Sequence, residues 1–187
     1  MLTLIPQVTK EKETIMRMIY VLMVAAFLSA CADSHQLMRV GGGEAKKLDP
    51  NGIVYVSVPG DGVYGQTTYF GSGNNTTQIV VLAFSQHAKR VESGNEVQNF
   101  DAALIAARKV GAKYLVVPTI LEWEDRATEW SAIPDKASIK LAVVDTDTGA
   151  TLDSVLIKGK SGLATFGGDH PQDLLPKPVG EYVSSLY

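Results

Sequence analysis

The residues best suited to chemistry gather in one stretch, Glu122-Trp123-Glu124-Asp125-Arg126-Ala127-Thr128-Glu129-Trp130, which holds both tryptophans of the chain and four carboxylates around one arginine. Two carboxylates whose surroundings separate their pKa values can serve as general acid and general base on a glycosidic bond. Two exposed tryptophans could instead stack on sugar rings or anchor a protein partner. A plainer arrangement uses the same residues. Trp123 packs into a core, and Arg126 pairs with Glu124, Asp125 or Glu129 in a structural ion-pair loop, which is the commoner use of such a cluster.

A second cluster is Asp169-His170-Pro171-Gln172-Asp173. A histidine between acids can orient a proton shuttle, but no serine or cysteine nucleophile accompanies it. The simpler reading is a helix start, with Asp169 as N-cap and Pro171 just inside. His35, His87 and His170 show no paired metal-ligand spacing, so neither metal nor cofactor is expected.

Gly60-Asp61-Gly62-Val63-Tyr64-Gly65 fits the G-x-G-x-x-G string and follows a strand-like run. A dinucleotide site needs its third glycine to open a helix, so that the helix N-terminus faces pyrophosphate. The next helix signal begins about ten residues too late for that geometry. A glycine-rich loop is the better reading, with Asp61 and Tyr64 as candidate surface residues. Gly71-Ser72-Gly73-Asn74-Asn75-Thr76 could hold an anion on free backbone N–H groups, although Asn75 or Thr76 acting as a helix cap accounts for it more simply.

The elements that must position these residues follow from pattern. Residues 53–58 are β-branched and read as a buried strand, stopped by Pro59-Gly60. A helix is predicted from about 76 to 89, with Ile79, Leu82, Ala83 and Gln86 on its buried side. A short strand follows at 90–92. A second helix covers 97–110, with Phe100, Ala103, Leu104, Ala107 and Val110 as its apolar stripe and Gly111 as C-cap glycine. Residues 114–123 form the clearest strand, in which Pro118 demands an edge or a bulge. Residues 137–144 and 151–158 alternate around the turn Asp145-Thr146-Asp147-Thr148-Gly149 and predict a hairpin. A helical turn at 171–175 and a helix at 179–186, with Pro178 at its first position, complete the chain. The expected fold is α/β, on the α+β border: a βαβαβ core sheet with an added antiparallel hairpin and a C-terminal helix.

The start of the chain has a different character. Lys10, Lys12 and Arg17 precede an apolar run at 19–28, which is shorter than the roughly 20 residues of a spanning helix. A basic start, a short apolar stretch and small residues at its end make a secretory signal. Leu28-Ser29-Ala30-Cys31 resembles the lipobox of bacterial lipoproteins. That resemblance implies removal of residues 1–30 and a diacylglycerol thioether on Cys31, commonly with an acyl chain such as palmitate on the new amine. One chain holds a protein only marginally to a membrane, whereas two or more hold it persistently. The alternative for Cys31, the single cysteine, is a buried free thiol. Met16 is an alternative start. Ala32, rather than aspartate, after the cysteine implies sorting to the outer membrane by the same resemblance. Residues 31–51 are polar and glycine-rich and read as a flexible tether, which leaves 52–187 as a single domain. With 187 residues, 45% of them apolar, and a net charge of −3, the chain has no basic footprint for nucleic acid.

The mature part also resembles DUF4823, a family of Gram-negative lipoproteins described as a domain of unknown function. The likeness is carried by Asp61-Gly62-Val63-Tyr64-Gly65, Gly71-Ser72-Gly73, Gly111-Ala112-Lys113-Tyr114-Leu115-Val116, the tryptophan segment from Trp123 to Trp130, and Gly167-Gly168-Asp169-His170-Pro171-Gln172-Asp173-Leu174-Leu175. It brings no catalytic residue with it. The residues together point to a lipid-anchored periplasmic binding or accessory module of the cell envelope, more consistent with a non-enzyme than with an enzyme. Its expected surface is Trp123, Glu124, Asp125, Arg126, Glu129, Trp130, Asp61, Tyr64 and His170, and its expected partner an envelope protein or glycan. The alternatives are a glycan-binding domain, or an envelope glycan hydrolase that uses the acids of 122–130 with His170.

Overall fold

A computed structural model describes residues 12–20, 33–40, 46–125, 134–162 and 170–187. Its order is β1 (Ser34–Arg39), β2 (Ile53–Val58), β3 (Gly62–Tyr64), β4 (Thr67–Tyr69), α1 (Ser72–Ser85), β5 (Arg90–Val97), α2 (Phe100–Lys109), β6 (Tyr114–Glu124), β7 (Lys136–Asp145), β8 (Thr151–Lys160), a 3-10 turn (Pro171–Leu174) and α3 (Pro176–Ser184). Residues 12–20 are helical and exposed. Among the described residues no helix is long and apolar enough to cross a membrane.

The main sheet has six strands in the order β1-β8-β7-β6-β2-β5. β2 runs parallel to both β5 and β6, as two crossover helices require. β6, β7, β8 and β1 pair antiparallel in turn. The fold is therefore the expected mixed α/β domain with an added hairpin and a C-terminal helix. Val54, Val56, Val116, Ile139, Leu141 and Ile157 meet Phe84, Val179 and Val183 on one side of the sheet. On the other side Tyr55, Leu115 and Val144 meet Ala103 and Ala107 of α2.

Several local expectations shift. α1 opens at Ser72 rather than near Asn75 or Thr76, and its buried residues are Ser72, Gly73, Thr76, Thr77, Val80 and Phe84. Leu82, expected inside, is 64% exposed. The helix turns this way because small residues let it approach β2. Thr77 hides its hydroxyl by donating to Gly73 O at 3.0 Å. α2 begins at Phe100, with the Asn99 side chain accepting from Ala102 N, and Gly111 takes the positive φ of 69° expected after its end. The strand expected at 90–92 extends to Val97. Pro118 sits in an interior strand, but β2 pairs with β6 only at Tyr114, Leu115 and Val116. Past that point one side of β6 has no β2 partner, and a register shift follows between Ile120 and Glu122. The missing N–H is thereby tolerated.

The tether reading of 31–51 needs correction. Ser34–Arg39 is a strand paired in continuous register with β8, from Ser34↔Lys160 to Arg39↔Val155. Leu48 is buried, and its N–H donates to Leu186 O at 2.8 Å. The Asp49 N–H donates to the Tyr114 hydroxyl at 2.9 Å. Loop-like composition hid this segment because an edge strand needs only a neighbour with unpaired backbone groups, which β8 supplies.

Candidate functional site

Asp61 organises the glycine-rich loop. Its Oδ1 accepts from the Gly73 N–H at 2.9 Å and the Gly71 N–H at 3.1 Å, while the Gly62 N–H donates to Ser72 Oγ at 2.8 Å. The Asp61 carboxylate thereby takes the place an anion would have at the Gly71 and Gly73 N–H groups, so Asp61 is the internal cap of this helix start. The residues between, read as plain loop, form the hairpin β3–β4. Gly62 lets this hairpin lie on β6, since a Cβ there would stand 2.6 Å from Trp123 Cβ. The hairpin exposes Val63 and Tyr64, and Phe70 just beyond it is 90% exposed. Phe70 was not singled out in the sequence, where one aromatic beside a glycine carries no pattern.

The tryptophan segment divides at the end of β6. Trp123 is 2% exposed and belongs to the core, so it is a structural residue and not the surface contact expected of it. Glu122 and Glu124 meet β7 instead. Lys136 Nζ lies 3.3 Å from Glu124 Oε2 and 3.9 Å from Glu122 Oε1, and Ser138 Oγ donates to Glu122 Oε2 at 3.0 Å. Glu124 is buried, which removes it as an exposed contact. Asp125 turns to the other side, where its Oδ2 lies 3.3 Å from His170 Nδ1. The Tyr69 hydroxyl donates to Asp125 O at 3.4 Å. Arg126, Glu129 and Trp130 lie outside the described residues.

The hydrolase alternative drew its acid–base pair from Glu124, Asp125 or Glu129 with His170, and Glu129 lies outside the described residues. Alternation along β6 sends Glu122 and Glu124 to one face and Trp123 to the other. Asp125 joins His170 beside the 3-10 turn, which is followed by Leu175 of the core on that second face. Among the described residues this splits the proposed hydrolase carboxylates between opposite sides of the sheet. What the end of β6 does bring together is Tyr69, Asp125 and His170, beside the hairpin that carries Tyr64 and Asp61.

Two cavities flank β1. One, of about 250 Å³, is lined by Ser34, Gln36, Glu122, Lys136, Ser138, Lys158 and Lys160 among others. The other, of about 410 Å³, lies across the strand and is lined by Leu37, Arg39, Val155, Glu181, Tyr182 and Ser185. In the second, Arg39 pairs with Asp153 and stands 5.5 Å from the Tyr182 ring centroid. Burial, with the Asp153 carboxylate beside it, pushes the Tyr182 phenol above its ordinary range, against the opposing pull of Arg39. Among the described residues no group of three His, Cys, Asp or Glu is placed to hold a metal ion.

No curated protein is detectably similar in sequence to this chain. Among solved structures it is similar to the PelC dodecamer from Paraburkholderia phytofirmans, with a TM-score of 0.63, 15% identity, and 82% of this chain and 97% of that chain covered. It is less similar to lipoprotein GNA1162 from Neisseria meningitidis, with a TM-score of 0.49, 13% identity, and coverage of 73% and 95%. The C-terminal domain of LpoB from Salmonella enterica scores 0.45 at 14% identity, with coverage of 63% and 87%. The likeness to PelC is one of fold. Residues 46–186 match the model of DUF4823, a domain of unknown function, and the chain belongs to that family.

Proposed function

We propose that the chain is a lipid-anchored binding module of the bacterial cell envelope, held by acylated Cys31 in the outer membrane and facing the periplasm. It captures an envelope partner by side-chain contact and carries out no turnover. The observation that carries this reading is the β3–β4 hairpin. It presents Val63 and Tyr64 to solvent, with Phe70 exposed directly after it, from a base fastened to the core by Gly62 against Trp123. An aromatic held on a rigid support loses little freedom on binding, which is what an interface anchor requires. The divergence of Glu124 and Asp125 supports binding over hydrolysis.

The test is photo-crosslinking in living cells from a reactive residue replacing Phe70 in the full lipidated protein. A discrete protein adduct supports the module and isolates its partner. Absence of any protein adduct, in a protein shown to be folded and exported, overturns a protein partner at this surface. The anchor is tested separately. Cys31→Ser leaves an unprocessed precursor without lipid, and normal processing of that variant would refute the anchor.

A further inference from the structure

The side of β7, β8 and β1 that faces away from α1 and α3 carries an unusual charge arrangement. Lys136 stands directly opposite Lys160 across the β7–β8 pair, and Lys158 opposite Ser138. Lys140 lies four residues along β7 from Lys136 and therefore on the same face. Like charges placed opposite one another destabilise a sheet, so a cluster of them needs a compensating reason. Glu122 and Glu124 neutralise Lys136 only. Lys140, Lys158 and Lys160 are exposed and have no carboxylate within salt-bridge distance among the described residues. This cationic strip occurs in a chain whose net charge is −3.

Its location is the second observation. Ser34 opens β1 opposite Lys160, in the row that continues to Lys136 and Glu124. Only Ala32 and Asp33 separate Cys31 from Ser34, a span of roughly 10 Å at most. An acylated Cys31 would therefore hold the Ser34 corner within about one Debye length of the lipid headgroups. The long tether first expected would have let the domain wander; pairing of β1 with β8 removes most of that slack.

We propose that this lysine face docks on the anionic phosphate surface of the leaflet that holds the anchor, which orients the domain on the membrane. The proposal rests on the lipid anchor of the preceding reading. Docking places Lys140, Lys158 and Lys160 against phosphate. It leaves the β3–β4 hairpin, which packs on Trp123 and Ile120 on the opposite side of the sheet, turned towards a partner. Each lysine near an anionic surface favours the docked state by roughly fivefold, so the three together favour it on the order of a hundredfold.

The experiment uses the full lipidated protein carrying Gln36→Cys, labelled with an environment-sensitive dye on the exposed middle of β1. It is reconstituted in vesicles of phosphatidylcholine alone, or of phosphatidylcholine mixed with phosphatidylglycerol. The expected result is a blue shift and lipid-quencher access only in the anionic vesicles, reversed by salt. Combined Lys140→Gln, Lys158→Gln and Lys160→Gln substitutions should abolish the shift, whereas Lys89→Gln with Lys177→Gln should retain it. A dye that stays in water on anionic vesicles, or shifts equally on neutral ones, overturns the docking face. Circular dichroism of each variant verifies its fold. Flotation with the neutral vesicles reports on the anchor alone. A protein that fails to float there refutes the anchor, and the shift on anionic vesicles then still decides the docking face.

Discussion

Asp125 Oδ2 lies 3.3 Å from His170 Nδ1 across 45 positions of sequence and joins the end of β6 to the 3-10 turn before α3. Both side chains are partly exposed, at 29% and 55%, so the pair is screened and contributes little to stability. His170→Ala should cost less than about 1 kcal/mol in urea denaturation. Asp173→Ala should cost more, about 0.5–2 kcal/mol, because Asp173 Oδ2 accepts from the His170 N–H at 3.0 Å and caps the turn. The reverse order would make the Asp125–His170 contact a structural clamp.

Asp61 holds two backbone N–H groups that would otherwise be unsatisfied at the start of α1. Asp61→Ala should destabilise the domain by about 1–3 kcal/mol, while Asp61→Asn, which keeps an acceptor, should lose less. Hydrogen exchange should accelerate first at Gly71 and Gly73. Unchanged exchange at those two amides would show that Asp61 is not their cap.

Trp123 and Phe70 should respond in opposite ways. Trp123→Ala empties a core position and should cost about 3–5 kcal/mol. Phe70→Ala removes a side chain that is 90% exposed and should change stability by less than about 0.5 kcal/mol while weakening partner capture. A large stability loss on Phe70→Ala would place that ring in packing and end its role as an anchor.

Tyr187 gives a stability change with a defined pH window. Burial, with Tyr114 and Asp49 adding to it, raises its phenol from 10.0 to about 12. The folded chain therefore holds this proton more tightly than the unfolded one. The stabilisation is complete below about pH 10 and is lost as the pH rises towards 12. The melting temperature should fall across that window in the parent protein, and Tyr187→Phe should make the decline shallower, leaving the part that comes from the Tyr182 phenol, also raised by burial. Equal slopes in both proteins would show that another group governs it.

Much of the architecture was legible because it depends on short-range pattern. The β-branched run of β2, the stripe of α2 from Ala103 to Val110 with Gly111 behind it (Phe100, expected in that stripe, is exposed), and the alternation of β7 and β8 around Asp145-Thr146-Asp147-Thr148-Gly149 each state their period within a few residues. The export signal and the lipid anchor on Cys31 proposed above rest on the same kind of local pattern, at 19–31. β1 was not, since Ser34–Arg39 becomes a strand only where β8 offers it a backbone. The buried face of α1 was also undetermined, because small hydroxyl residues compete with Ile79 and Leu82 for the inside, and contact with β2 decides between them.

The candidate site shows the same division. The sequence by itself determined which residues were chemically capable: the acids and tryptophans of 122–130, Asp61 and His170. Among the described residues tertiary structure decided their roles. Strand alternation sent Trp123 into the core and Glu124 to Lys136, whereas Asp125 met a histidine from a distant turn. It also gathered Lys136, Lys140, Lys158 and Lys160, which are spread over two strands, on one face opposite the start of β1. Residue type is local information. A shared face is a property of sheet register, and register exists only once the strands have paired.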